Sequence, residues 1–127
     1  MPVIEVVTKN VASEHKGPSA PHVGNQDFFS DDLLNAQNQV VGTHSGFCTL
    51  VRVTPGNAPD LQECQATFTL PQGQVTARGL YSTPMAVGQS SKVAITGGTD
   101  AYANARGQVT WTQLAAGGRV VLDIIVL

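Results

Sequence analysis

Between Glu63 and Leu70 the chain alternates without a break. Cys64, Ala66, Phe68 and Leu70 fall on one side, and Glu63, Gln65, Thr67 and Thr69 on the other. A period of two is that of a half-buried β-strand. The pattern returns from Gln74 to Ser82, where Val75, Ala77, Gly79 and Tyr81 share a face. It returns again over residues 107–114, where Val109 and Trp111 oppose Gln108, Thr110 and Thr112. Val3–Thr8 is short and β-branched, Lys92–Thr96 is another short strand, and Val120–Leu127 is apolar on both faces except at Asp123. Gln39–Val53 is long for one strand, and its Gly42 and Gly46 suit bends where a barrel curves. Turns are predicted at Pro55-Gly56-Asn57-Ala58-Pro59, Pro71-Gln72-Gly73, Gly97-Gly98 and Ala115–Gly118. Asp27–Leu34 predicts a short strand and a turn. From Asn10 to Asn25 the periodicity disappears, and the run Gly17-Pro18-Ser19-Ala20-Pro21 predicts a long loop of the lid or binding kind. No segment keeps a helical period. Seven or eight short strands in one domain over 1–127 read as an all-β sandwich or barrel.

Composition supports that class. Only 13% of the 127 residues are charged, and Gly, Thr, Gln, Asn and Ser take the vacated places. A net charge of −2, with no Lys/Arg run, gives no electrostatic footprint for nucleic acid. No apolar stretch is long enough for a spanning helix, so no membrane insertion is expected. The N-terminus lacks a basic region followed by an apolar run. A cytoplasmic protein is therefore expected, although a mature secreted form would look the same.

Phe47–Val53 and Val120–Leu127 are apolar on both sides and need cover outside as well as inside. Self-association into a dimer or trimer is the expected cover, and the N-terminal loop folding over the wall is the alternative. Cys48 and Cys64 have no metal-site spacing, and His15 and His22 sit on the predicted loop, so no metal is expected. Reduced, buried thiols suit a cytoplasmic chain. A disulfide is the other reading, because the two strands are joined by one hairpin turn.

Three blocks carry a family resemblance. Val41-Gly42-Thr43-His44-Ser45-Gly46-Phe47-Cys48-Thr49 resembles the V-G-x-x-x-G-x-C strand of the allene oxide cyclase barrel family. Gly73–Tyr81 resembles its G-x-[IL]-x-x-x-G-x-[YF] strand. Val93-Ala94-Ile95-Thr96-Gly97-Gly98-Thr99-Asp100-Ala101-Tyr102, continuing to Val109, resembles the A-I-T-G-G-T block shared with plant dirigent proteins. The likeness runs from about Phe28 to the C-terminus and is greatest to small bacterial members and spirotetronate-cyclase-like barrels. It implies an eight-stranded antiparallel β-barrel of lipocalin-like shape around a lipophilic cavity. It also implies a cofactor-independent cyclase or isomerase that folds a polyketide- or fatty-acid-derived intermediate for stereospecific ring closure. A non-catalytic dirigent or hydrophobic small-molecule-binding barrel is the alternative.

The resemblance also assigns residues. Glu5 falls at the family's first-strand glutamate, though Val7 stands where an asparagine is expected. Tyr81 falls at its cavity tyrosine, Cys48 at its cavity cysteine and Phe28 at a cavity phenylalanine. Glu5 and Tyr81 are thus the candidate catalytic residues. With Cys48 inward, alternation turns His44, Leu50 and Arg52 inward, with Arg52 near a rim, and turns Phe47, Val51 and Val53 outward. Phe68, Val109 and Trp111 complete the candidate substrate-binding wall.

Overall fold

Eight antiparallel strands pair in chain order, and β1 returns to pair with β8, so the sheet closes into a barrel with no free edge. The strands are β1 (Val3–Lys16), β2 (Gln26–Leu34), β3 (Val40–Arg52), β4 (Asp60–Leu70), β5 (Gly73–Thr83), β6 (Ser90–Gly98), β7 (Ala105–Gln113) and β8 (Gly118–Val126). The computed structural model describes residues 3–56 and 58–126; Asn57 of the expected turn and Leu127 of the expected last strand lie outside the described residues.

Alternation decides what fills the barrel. Val6 of β1, Leu33 of β2, Phe68 and Leu70 of β4, Val75 of β5, Ile95 of β6 and the β8 row Val120, Leu122 and Ile124 are all buried in one cluster. A fully buried side chain of this size contributes about 1.5–3 kcal/mol, and the cluster concentrates that burial at one end. There a single 3-10 turn, Asp100–Tyr102, tucks Tyr102 into the core and stops the barrel. The outward positions carry hydroxyl pairs across strands, such as Thr76 with Thr96 and Ser30 with Ser45, each at 2.8 Å. Among the described residues no helix is long and apolar enough to cross a membrane.

The loop expected from Asn10 to Asn25 is shorter than its sequence suggests. β1 continues to Lys16 and pairs with β2 as far as Gln26. Lys9 to Lys16 are exposed throughout, so no alternation marks them, and a β-bulge between Asn10 and Ala12 breaks the register. The remaining loop, 17–25, is held at the barrel rim. Asn25 Nδ2 donates to the carbonyls of Pro18 and Ala20 at 3.1 Å each, while the Gly24 N–H donates to the Leu50 carbonyl and the Leu50 N–H to the Asn25 carbonyl, both at 2.8 Å.

Gly118 shows how tightly one wall is fitted. A Cβ there would run into the indole of Trp111, so glycine is what lets that ring lie against the start of β8. Gly118→Ala is expected to cost about 1–2 kcal/mol by overpacking and to shift the emission of Trp111, the only tryptophan. Chemical denaturation followed by fluorescence reads both effects.

Candidate functional site

The end of the barrel opposite Tyr102 is open inside. A cavity of about 320 Å³ lies there, near the lower bound of the roughly 300–1,000 Å³ typical of ligand sites. It exists because the inner row crossing β3, β4 and β5 is built of small residues. Gly46, Ala66 and Ala77 are register partners, and Gly79 sits beside Cys64. Phe29, Phe68, Trp111, Val93 and Val109 give the space apolar walls, while Gln62, Tyr81, Ser82, Thr83 and Gln113 bring polar atoms.

One ionisable pair faces this space. His44 of β3 and Asp31 of β2 are register partners, both buried, and His44 Nδ1 lies 3.0 Å from Asp31 Oδ2. The imidazole stacks on Phe68, with ring centres 4.5 Å apart and planes 12° from parallel. Its ring centre also lies 4.9 Å from that of Phe29 and 6.0 Å from that of Trp111, both tilted. Among the described residues Asp31 is the only carboxylate lining the cavity. No Lys or Arg among the described residues lines it, and Lys9, Lys16, Arg52, Arg78, Lys92, Arg106 and Arg119 are all exposed. Asp31 was not among the residues singled out from the sequence. Its signal was available only through register: once Phe29 is inward, Asp31 follows by alternation and meets His44 across the strand pair.

Tyr81 lines the same cavity, and burial pushes its phenol up to about 12. It is therefore a hydrogen-bond donor at neutral pH rather than a base. Because its folded pKa lies above the unfolded value of about 10, the stability it contributes is complete below that value. It is lost as pH rises toward about 12. An ultraviolet absorbance titration is expected to show one phenol ionising near about 12, and Tyr81→Phe is expected to remove that step.

The structure brings six of the nine candidate residues together: His44, Cys48, Phe68, Tyr81, Val109 and Trp111 all line the cavity. Three do not. Glu5 is 63% exposed and lies 3.7 Å from Arg119 on the outer surface, because alternation gives the inner positions of β1 to Ile4, Val6 and Thr8. Phe28 is also outside, with its ring 5.4 Å from that of Phe47; the adjacent Phe29 takes the inner place. Arg52 follows a register shift between Leu50 and Arg52 that ends the strict alternation of β3, and its side chain is exposed. Asp123 pairs with Val3 and Gln108 and does not line the cavity. Val51 and Val53 are exposed, as expected.

The cysteines are not free thiols. Cys48 and Cys64 are direct register partners and form a disulfide, with Cα atoms 4.0 Å apart, and both line the cavity. The reading as two reduced thiols is thereby corrected: the hairpin sets the two residues opposite each other on the inner face.

Comparison with known proteins places this geometry. The family model of the allene oxide cyclase barrel like domain matches residues 4–127. Among solved structures, pyocyanin demethylase is 30% identical with a TM-score of 0.82, over 97% of this chain and 99% of its own. The exo-specific intermolecular Diels-Alderase AbnU is 16% identical with a TM-score of 0.79, over 94% of each chain. A pterocarpan synthase dirigent protein is 15% identical with a TM-score of 0.70, over 97% of this chain and 84% of its own. No match was found among curated protein sequences. The chain belongs to the allene oxide cyclase barrel-like family.

Proposed function

We propose that the protein is a cyclase or isomerase that encloses a compact, planar, lipophilic molecule and rearranges it by proton transfer through His44 and Asp31. The buried His44–Asp31 pair, facing a cavity with largely apolar walls, carries this reading. With Nδ1 tied to Asp31, the remaining ring nitrogen is the atom free to take a proton. The carboxylate then stabilises the imidazolium that forms. Tyr81 is placed to donate to a carbonyl or enol oxygen. Holding one reactive conformer between Phe68, Trp111 and Val109 can remove about 7–11 kcal/mol of barrier. Acid–base help of about 10²–10⁴-fold adds to that. This chemistry needs no cofactor.

The charge of the cavity narrows the substrate. A carboxylate brought beside Asp31 would meet like charge with no Lys or Arg to offset it, so a fatty acid is disfavoured against an uncharged or cationic ring system. Pyocyanin demethylase, the relative at 30% identity, is named for a small aromatic compound, which fits the cavity's size better than an extended polyketide chain.

Trp111 offers a direct test, being the only tryptophan and part of the cavity wall. Uncharged three-ring aromatics, an N-alkylated cationic analogue and pyocyanin itself are expected to quench its fluorescence saturably. Ring carboxylates and a long-chain fatty acid should fail to do so. Preferential binding of the carboxylates would overturn the substrate class. Saturable binding with no turnover of any ligand would favour the non-catalytic binding barrel.

A further inference from the structure

The β-bulge in β1 sits one strand away from Asp31, and bulges next to functional sites re-aim side chains. Asn10 is the register partner of Asp31, and its Nδ2 donates to Asp31 Oδ1 at 3.0 Å. The carboxylate is therefore held from both sides, by Asn10 through one oxygen and by His44 through the other. The bulge inserts Val11, which is exposed, so Ser13 rather than Ala12 pairs with Phe29. That shift brings Ser13 within reach of the Asn10 side chain. Its hydroxyl donates to Asn10 Oδ1 at 3.0 Å, while Asn10 Nδ2 also donates to the carbonyl of Ala12 at 3.1 Å. The amide can thus point only one way: oxygen toward Ser13, nitrogen toward Asp31.

We propose that Asn10 is a positioning residue for the His44–Asp31 pair, and that the bulge exists to build the chain Ser13–Asn10–Asp31–His44. Asn10 does not line the cavity; it acts through Asp31. Occupying Oδ1 with an amide donor fixes the plane of the carboxylate, so Oδ2 meets His44 Nδ1. A carboxylate oxygen only accepts, so His44 is held as the Nδ1–H tautomer with Nε2 bare. No other partner of His44 exists among the described residues, and no buried side-chain nitrogen there is left unsatisfied, so Nε2 opens onto the cavity. Among the described residues Asp31 is the only acidic or basic side chain that lines the cavity beside His44, and the rings of Phe29, Phe68 and Trp111 surround the imidazole.

The inference rests on the acid–base role proposed for His44, but its test requires no substrate, so the two can fail separately. Nitrogen-15 NMR of imidazole-labelled protein at about pH 9, where an ordinary imidazole is neutral, separates the tautomers. Wild-type His44, assigned by comparison with His44→Gln, is expected to show the Nδ1–H form alone. Asn10→Ala and Asn10→Asp are expected to lose it in favour of a mixture with the Nε2–H form, and Ser13→Ala to lose it partly. Asn10 is exposed, so these variants should fold, and dispersed amide spectra confirm that. The proposal is overturned if His44 is Nε2–H in the wild type, or if folded Asn10→Ala and Asn10→Asp both keep the wild-type tautomer.

Discussion

Asp31→Asn is expected to reduce turnover by about 10²–10⁴-fold while changing ligand affinity by no more than a few-fold. The substitution keeps shape and removes charge. An asparagine at this position can still accept from Asn10, but the group it presents to His44 Nδ1 can be a donor. The imidazole would then protonate at Nε2, and the atom facing the cavity would lose its lone pair. The same exchange in a Ser-His-Asp triad costs about 10⁴ in kcat for that reason. His44→Gln is expected to fall to the same floor, and the double variant no further, because the two residues act as one unit. The measurement is product formation from a ligand that quenches Trp111, alongside its binding curve. Turnover within about threefold of wild type in both single variants would exclude general acid–base catalysis of ordinary size. Shape alone would then do the work.

How much of this was legible in the sequence follows from where burial is one-sided. β4, β5 and β7 each have a wet and a dry face, so the period of two was plain, and Phe68, Tyr81, Val109 and Trp111 were assigned inward correctly. β1 offered no such contrast. Val3-Ile4-Glu5-Val6-Val7 is apolar at both parities, and the family's glutamate position then placed Glu5 inside, where the structure has Val6 and Thr8. Phe28 and Phe29 are adjacent aromatics, so either could be the inner one, and a one-residue slip exchanges the faces of a whole strand. The slip hid Asp31. Asp31-Asp32 fell within a segment read as a short strand and a turn, and only the pairing of β2 with β3 shows that the first of them meets His44. The second half of β1 was hidden for the opposite reason: both of its faces are exposed and its register breaks at the bulge that holds Asn10. Asn10, Ser13 and Asp31, which sequence reasoning missed, join His44 in one connected chain of hydrogen bonds, and none of the three lies in a strand with a clean alternation.

Breaking the Cys48–Cys64 disulfide is expected to lower stability by about 3 kcal/mol, the loop-closure value for a cross-link of this span, since the bridged residues are 16 apart in sequence. For a domain of this size that corresponds to a fall in Tm of roughly 10 °C. Two effects compete in setting the number: lost constraint on the unfolded chain and lost packing in the folded one. The sulfurs border the cavity rather than the close-packed cluster around Leu122, so removing them exposes little that was tightly held. Chain constraint should therefore dominate. It follows that the Cys48→Ala/Cys64→Ala double variant and the dithiothreitol-reduced wild type should melt within a few degrees of each other, both well below the oxidised protein. Calorimetry with and without reductant reads this directly. Equal melting temperatures in all three samples would show that β3–β4 pairing alone sets the stability of this wall. A large extra loss in the alanine variant would show that packing, not constraint, was the main contribution. The compartment bears on the same number, because a reducing cytosol holds most protein thiols open. There the chain would lack this increment, whereas in an oxidising compartment it would keep it.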